Sequence, residues 1–204
     1  QYTIFCLTRK PVSYPFVLGS LENKDTLLQA TNNVDYVIHL ASQTRSSEKN
    51  LNYMTNVMGT KNVIDGCKKN KVKKFIYTGT VNADLHKRGI YGESKKQAEE
   101  IVEKSGLNHV ILKLNMVYGA GDSNLSKTIS LAKKLPIIPI IGKGNQKMQP
   151  VHIDDVIDVI LQCLKIKKFK RRVYNIAGPR SMTFNEYLHT ILAVLHLQRV
   201  KIHI

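Results

Sequence analysis

The chain has 204 residues, of which 43% are hydrophobic and 23% charged; this composition supports a sizeable buried core and excludes a disordered or low-complexity chain. The 31 basic and 15 acidic residues leave a formal net charge of +16, which a lysine-rich solvated surface explains more simply than a partner that carries phosphates. No apolar run approaches the ~18 residues that a membrane helix needs, so we expect no membrane partner.

Short β-like runs alternate with amphipathic helical stretches along the chain. Strands are predicted at 2–7, 34–40, 72–78, 109–114 and 172–177. Helices are predicted at 25–30, 47–69, 91–104, 125–134, 154–164 and 183–195, the last beginning with the capping-box pair Thr183 and Glu186. The apolar stretch 135–141 contains two prolines and is predicted as a loop. The alternation predicts an α/β fold with a doubly wound parallel sheet of the Rossmann type, whose ligands bind at the carboxyl ends of the strands.

The three cysteines, Cys6, Cys67 and Cys163, are far apart and form no CxxC pair. This usage is typical of a reducing compartment, so we expect a cytoplasmic protein rather than a disulfide scaffold. No His, Cys or acidic cluster has the spacing of zinc ligands, and no metal site is predicted. His39, His109 and His152 lie in apolar runs and are interpreted as structural residues.

Three residues near the predicted strand ends suggest proton-transfer chemistry. Tyr91 and Lys95 are four apart on a predicted helix and share a face, and a neighbouring cation lowers the pKa of a phenol. Thr80 follows the strand that precedes this helix and can position a substrate oxygen. Together they predict a general acid/base set that takes the proton of an alcohol while a hydride leaves its carbon. The Tyr–Lys spacing alone is more often a surface pair, so this assignment depends on its context.

Seven short motifs follow one another along the chain. They are VDYVIHLAS at 34–42, NVMGTKNV at 56–63, FIYTGT at 75–80, YGESK at 91–95, LKLNMVYG at 112–119, PVHIDD at 150–155 and YNIAG at 174–178. In this order they resemble the extended and atypical short-chain dehydrogenase/reductase family, the NAD(P)-dependent nucleoside-diphosphate-sugar epimerases and dehydratases. The Gly-rich turn of that family's first β-α unit has no counterpart here. We therefore expect a Rossmann-like core that is incomplete at its N-terminus, with that unit either upstream or lost.

The resemblance implies a domain organisation and a set of site residues. Residues 1–122 would form the dinucleotide-binding core, and 123–204 a mixed segment of substrate lobe and returning Rossmann elements. Thr80, Tyr91 and Lys95 would be catalytic. The cofactor would contact Arg9, Ser20, Leu21, Leu40, Ala41, Ser42, Asn56, Thr78, Tyr91, Lys95, Leu114, Met116 and Val117.

Cofactor and substrate follow from positions that differ from the family pattern. Arg9 and Lys10 stand where an NAD enzyme usually has an acidic residue, and this favours NADP over NAD. Val81 and Asn82 replace the acidic pair of the 4,6-dehydratases, which disfavours that reaction. The resemblance then implies an epimerase (an isomerase) or a reductase acting on a nucleotide sugar or a related hydroxyl or carbonyl compound. It also implies a homodimer formed through the helices at 47–69 and 91–104.

Two other classes stay open. A non-catalytic, cofactor-holding subunit similar to the complex I accessory subunit of this fold would suit the short loop from Thr80 to Tyr91. An RNA-binding relative would use the basic runs at 68–74 and 165–172, but these have few interleaved aromatic residues for base stacking. Nucleic acid is therefore the least favoured partner.

Overall fold

The computed structural model describes residues 2–170 and 172–204. Its strands are β1 (Cys6–Thr8), β2 (Phe16–Leu18), β3 (Tyr36–His39), β4 (Lys74–Thr80), β5 (His109–Leu114), β6 (Val117–Tyr118), β7 (Ile137–Ile140), β8 (Lys147–Met148), β9 (Val151–His152), β10 (Val173–Ile176), β11 (Met182–Thr183) and β12 (Val200–His203). Its α-helices are α1 (Lys24–Thr31), α2 (Lys49–Asn52), α3 (Gly59–Lys69), α4 (Gly89–Glu103), α5 (Ser123–Lys134), α6 (Ile153–Lys165) and α7 (Phe184–Val194). A π-helical segment, Tyr53–Met58, joins α2 to α3, and a 3-10 turn, Val81–Asp84, follows β4.

The chain divides into two compact units that alternate along the sequence. The first contains Gln1–Leu114 and Ile160–Asn175, and the second contains Asn115–Val159 and Ile176–Ile204.

The first unit is built on a sheet with the strand order β10-β5-β4-β3. β3, β4 and β5 pair in parallel, and β1 and β2 form a separate parallel pair. Every residue of β4 is buried, as expected for a central parallel strand covered on both faces. The observed architecture confirms the predicted α/β fold with a parallel sheet.

The core of the first unit lies between this sheet and helices α1, α3 and α4. Its buried members are Leu27, Val63, Ile64, Cys67, Val72, Phe75, Tyr77, Ala98, Val102 and Ile111. The apolar positions of α3 recur at helical spacing, so one face of that helix packs on the sheet while its lysines remain in solvent. Cys67 is fully buried in this cluster.

The second unit contains three small two-stranded sheets. β6 pairs with β9 and β7 with β12 in parallel, whereas β8 and β11 are antiparallel. Its core gathers Ala132, Ile138, Ile140, Leu188 and Leu192. Asp122 caps the N-terminus of α5, and Thr183 and Glu186 form the predicted capping box of α7.

The structure corrects the interpretation of 135–141 as a loop. Ile137–Ile140 is the strand β7, in which Ile138 and Ile140 point into the core and alternate with exposed residues. Pro139 is tolerated because a two-stranded sheet leaves one edge of each strand free of ladder hydrogen bonds.

Other predicted elements shift at their ends. The strand predicted at 72–78 is observed two residues later, as Lys74–Thr80, which makes Thr80 its last residue. The strand predicted at 34–40 is observed as the shorter strand Tyr36–His39. Ile38 and Leu40 are 38% and 61% exposed, because β3 is the last strand in the order of its sheet. Within the described residues, no helix combines the length and the apolar character needed to cross a bilayer.

Candidate functional site

The candidate site lies in the first unit, where β4 ends and α4 begins. Thr80 is the last residue of β4, and its hydroxyl accepts a hydrogen bond from the Asn82 amide at 3.3 Å, which starts the 3-10 turn. α4 begins at Gly89, so Tyr91 lies in its first turn and Lys95 one turn later. A Cβ at Gly92 would be 2.8 Å from the Asn82 carbonyl oxygen, so this glycine allows the first turn of α4 to pack against the turn after β4.

The Tyr91 side chain is in hydrogen-bond contact with the hydroxyls of Thr80 and Ser42. Burial raises the pKa of Tyr91, and the hydrogen bonds to Thr80 and Ser42 only partly offset that effect. This differs from the expectation that Lys95 lowers the pKa of Tyr91. Burial outweighs the favourable contacts, and the Lys95 ammonium is directed at the Thr78 carbonyl of β4.

Lys95 is 2% exposed. Its Nζ donates a hydrogen bond of 2.7 Å to the Thr78 carbonyl and lies 4.2 Å from the centroid of the Tyr77 ring. Burial lowers the pKa of Lys95 to about 8, although the nearby carboxylate of Glu99 favours the charged form. The ammonium therefore keeps its proton at neutral pH and loses it at moderately alkaline pH.

Asn56 connects three elements around Tyr91. Its Oδ1 accepts hydrogen bonds from the Ser42 hydroxyl at 3.1 Å and the Gln43 amide at 2.7 Å. Its Nδ2 donates to the Gln43 carbonyl at 3.1 Å and to the Ser94 hydroxyl at 2.8 Å. Ser94 donates in turn to the Tyr91 carbonyl at 2.8 Å. The π-helical segment thus fixes both the loop after β3 and the first turn of α4.

His39 lies behind this group as a buried structural residue. Its Nε2 is 3.0 Å from the Thr60 hydroxyl, and the Thr78 hydroxyl donates to its carbonyl at 3.1 Å. Burial and the Lys95 charge lower the pKa of His39 to about 3, so the ring is neutral. Across the described part of the chain, no three His, Cys or acidic side chains form a group that could hold a metal ion.

The other residues that were predicted to contact the cofactor are spread over several segments of the chain. Leu40 and Ala41 are exposed directly after β3, and Leu114 is opposite Thr80 at the end of β5. Leu21 packs against Gly59, at which a Cβ would be 2.8 Å from the Leu21 Cδ1 atom. Ser20 is half-buried beside it.

Three further residues that were predicted to contact the cofactor belong to other segments of the chain: Arg9, Met116 and Val117. Arg9 is exposed and, with Thr8 and Lys10, lines a depression of about 470 Å³ where β1 ends. Met116 and Val117 belong to the second unit, where the Met116 carbonyl accepts the Val151 amide at 2.9 Å. The structure therefore brings together Ser42, Asn56, Thr78, Thr80, Tyr91 and Lys95.

Sequence reasoning missed a buried ion pair beside these residues. Glu99 is 1% exposed, and its Oε2 lies 3.0 Å from the Nζ of Lys113, which also contacts Asp84. The available signal was the spacing, because Glu99 follows Tyr91 and Lys95 by eight and four residues and so shares their face of α4.

The chain is similar to known proteins along most of its length. A model of the NAD dependent epimerase/dehydratase family matches residues 1–177. The uncharacterized protein y4nG of Sinorhizobium fredii is 26% identical, with 93% of this chain and 53% of that protein covered. The N-acetyl-alpha-D-glucosaminyl-diphospho-ditrans,octacis-undecaprenol 4-epimerase of Escherichia coli O157:H7 is 25% identical, with 94% and 64% covered.

A further relative is a subunit of a respiratory complex. The mitochondrial NADH dehydrogenase (ubiquinone) 1 alpha subcomplex subunit 9 of Dictyostelium discoideum is 23% identical, with 84% of this chain and 48% of that protein covered. The chain thus spans about half the length of y4nG and of this subunit.

Solved structures share the fold. MoeE5 in complex with UDP-glucuronic acid and NAD has a TM-score of 0.84 at 21% identity, with 98% of this chain and 76% of MoeE5 covered. UDP-N-acetylglucosamine 4-epimerase from Bacillus cereus has a TM-score of 0.82 at 20% identity, with 98% and 75% covered. The dTDP-4-dehydrorhamnose reductase from Bacillus anthracis in complex with NADP has a TM-score of 0.81 at 18% identity, with 94% and 75% covered.

Proposed function

The chain belongs to the NAD dependent epimerase/dehydratase family, and from this premise we propose that it acts as an NAD(P)-dependent epimerase or reductase. The substrate class we propose is a nucleotide sugar or a related compound with a hydroxyl or carbonyl group. The observation that carries the proposal is the contact of Tyr91 with two hydroxyl side chains beside a buried lysine.

The proposed chemistry assigns one role to each side chain. Tyr91 exchanges a proton with the substrate oxygen, and Thr80 holds that oxygen by a hydrogen bond. When bound, the nicotinamide cofactor accepts or returns the hydride. Because burial raises the pKa of Tyr91, the phenol carries its proton at neutral pH and is ready to donate it to a carbonyl oxygen. Lys95 supplies a buried positive charge below pH about 8.

Two cations after β1 support the choice of a dinucleotide with a 2′-phosphate. Arg9 and Lys10 are exposed cations at the rim of the depression after β1, where a guanidinium can pair with a phosphate. Leu40, Ala41 and Ser42 follow the carboxyl end of β3, which is the edge of a parallel sheet where such ligands bind. We therefore favour NADP over NAD.

The test replaces Tyr91 by phenylalanine in the protein. We expect turnover of a nucleotide-sugar carbonyl substrate to fall on the order of 100-fold or more, because general acid/base catalysis is lost. Binding of NADPH, followed by nicotinamide fluorescence, should stay within a few-fold of wild type and should be tighter than binding of NADH. Tyr14→Phe, at a tyrosine that is 70% exposed, is the matched control and should leave both values unchanged. A Tyr91→Phe protein with full turnover would contradict the assignment.

A second candidate function is a non-catalytic subunit that holds a cofactor. Its support is the similarity to the Dictyostelium NADH dehydrogenase subunit. The same experiment separates the two functions. A structural subunit would bind NADPH and show no turnover in either the wild type or the Tyr91→Phe variant.

The assembly we propose is a homodimer formed through the helical segments around α2 and α4. Its support is a set of exposed apolar side chains on these segments: Leu51, Tyr53, Met54 and Ile90 are each 37–43% exposed. Tyr53 and Ile90 line the same depression, so they share one surface.

A further inference from the structure

We propose that Lys113 and Glu99 are positioning residues that hold the β4 end with Thr80 and the α4 face with Tyr91 and Lys95 in one fixed arrangement. This inference rests on the proposed function. Neither side chain has a role in the proton or hydride transfer described above. Both are buried, with side chains 9% and 2% exposed, so a solvated surface role does not explain them.

The three charged groups of this cluster come from three different elements. Lys113 is on β5, Glu99 is on α4, and Asp84 is in the turn that follows Thr80. The Lys113 ammonium contacts a carboxylate oxygen of each acidic residue, and it lies 3.0 Å from Glu99 Oε2. One cation thus joins the turn, the helix and the sheet from which the site is built.

The Glu99 carboxylate packs closely against the backbone of β4. A Cβ at Gly79 would lie 2.5 Å from Glu99 Oε1, so the carboxylate fills the space above the backbone next to Thr80. The register of the sheet places Lys113 directly opposite Gly79. The nearby backbone of Thr80 also favours the charged form of Glu99 and lowers the pKa of its carboxyl. A change in Glu99 would therefore be transmitted to the backbone that carries Thr80.

Several charged and titratable groups surround Glu99 and Lys113. Glu99 faces Lys113 from β5, Asp84 from the turn, Tyr77 from β4, and Tyr91 and Lys95 on its own helix. Burial raises the pKa of Glu99, and Lys113 opposes this effect. Although burial lowers the pKa of Lys113, its hydrogen bonds to Asp84 and Glu99 outweigh burial and raise that pKa.

Lys95 is the member of the catalytic set that depends on this balance. It faces His39 from β3, Tyr77 from β4 and Glu99 on α4. Without Lys113, the buried Glu99 would take up a proton or draw Lys95 away from the Thr78 carbonyl. Either change would weaken the buried charge of Lys95 or displace its side chain from the Thr78 carbonyl.

The experiment compares Glu99→Gln, Lys113→Met, Lys113→Arg and the double variant Glu99→Gln/Lys113→Met. We expect each of the first two to lower kcat on the order of tenfold to a hundredfold, as for small misplacements of catalytic groups. We expect the alkaline limb of the pH–rate profile of Glu99→Gln to move to lower pH, because Lys95 loses the carboxylate that favours its charge. NADPH affinity should change less than kcat.

Two variants guard against trivial loss of folding. The double variant leaves no unpaired charge between α4 and β5, and it should lose no more activity than the worse single variant, because the two residues act as one unit. Lys113→Arg keeps the cation and should recover most of the activity. The matched control is Lys61→Met/Asp65→Asn, which removes a half-exposed ion pair of 2.7 Å on α3 and should change neither kcat nor its pH profile.

A direct titration separates this inference from the proposed function. With lysine labelled at Cε by ¹³C, the Lys95 signal is identified by its loss in Lys95→Met. It should titrate near pH 8 in the wild type and at lower pH in Glu99→Gln, which lacks the carboxylate, and its midpoint should move away from pH 8 in Lys113→Met, which changes the charge or position of Glu99. If the wild type has no turnover, the proposed function fails, and this titration still decides whether Lys113 and Glu99 act on Lys95. An unchanged titration together with an unchanged pH profile would overturn the inference.

Discussion

His39 is a neutral imidazole enclosed between β3, β4 and α3. Burial and the Lys95 charge lower its pKa to about 3, whereas a histidine in an unfolded chain titrates near 6.5. Between these two values the unfolded state binds more protons than the folded state, so stability falls as pH decreases through that window. We expect this residue alone to remove on the order of several kcal/mol of stability between pH about 7 and about 3.

Urea unfolding at a series of pH values measures this effect. His39→Gln should flatten the loss of stability below pH 6.5, because glutamine has no proton to gain. His189→Gln, at an exposed histidine on α7, is the matched control and should keep the slope of the wild type. Equal slopes for His39→Gln and the wild type would show that acid destabilisation comes from other groups.

At the scale of one element, α7 depends on its N-terminal cap. The Thr183 hydroxyl accepts the Glu186 amide at 3.2 Å, and a Glu186 carboxylate oxygen accepts the Thr183 amide at 2.6 Å. Thr183→Ala removes the first of these bonds and should lower the free energy of unfolding by about 1 kcal/mol. Chemical denaturation gives the value. Thr190→Ala removes a hydroxyl within the same helix and should cost less, because alanine is the better helix former. A larger loss for Thr190→Ala would contradict the capping argument.

Elements with a local sequence signal, such as α7, could be predicted, whereas elements without one could not. α7 and α4 have local signals, namely a capping box and apolar residues at helical spacing, and both were confirmed with small shifts at their ends. β2, β8 and β11 have two or three residues each and exist only because another strand supplies their hydrogen bonds. β7 was missed for a similar reason, since its pairing with β12 outweighs the proline signal.

Some features of the candidate site could likewise be predicted from the sequence, and others could not. The spacing of Tyr91 and Lys95 follows from the helical repeat and could be read from the sequence. The direction of the Lys95 ammonium could not, because it depends on the Thr78 carbonyl of another element. The contact of Lys113 with Glu99 depends on the register that sets Lys113 opposite Gly79. Register is fixed by the whole sheet rather than by either strand.

At the scale of the whole molecule, net charge and exposed apolar surface act against each other in the proposed homodimer. Each copy has a formal charge of +16, so two copies repel over long range. Salt screens this repulsion, with a Debye length of about 10 Å at 0.1 M and about 30 Å at 0.01 M. The apolar contact through Tyr53 and Ile90 is not screened.

We therefore expect the dimer to dissociate more readily at low salt and to tighten as NaCl increases, which sedimentation equilibrium measures. Ile90→Asp should shift the protein toward monomer, because it buries a charge in the contact, and it should not harm folding, since an acidic residue is favourable in the first turn of α4. Ile157→Asp, at an isoleucine of α6 that is 45% exposed, is the matched control and should leave the equilibrium unchanged. A dimer that is unaffected by Ile90→Asp would show that the contact lies on a different surface. A dimer that weakens as salt increases would show that attraction between opposite charges holds it together.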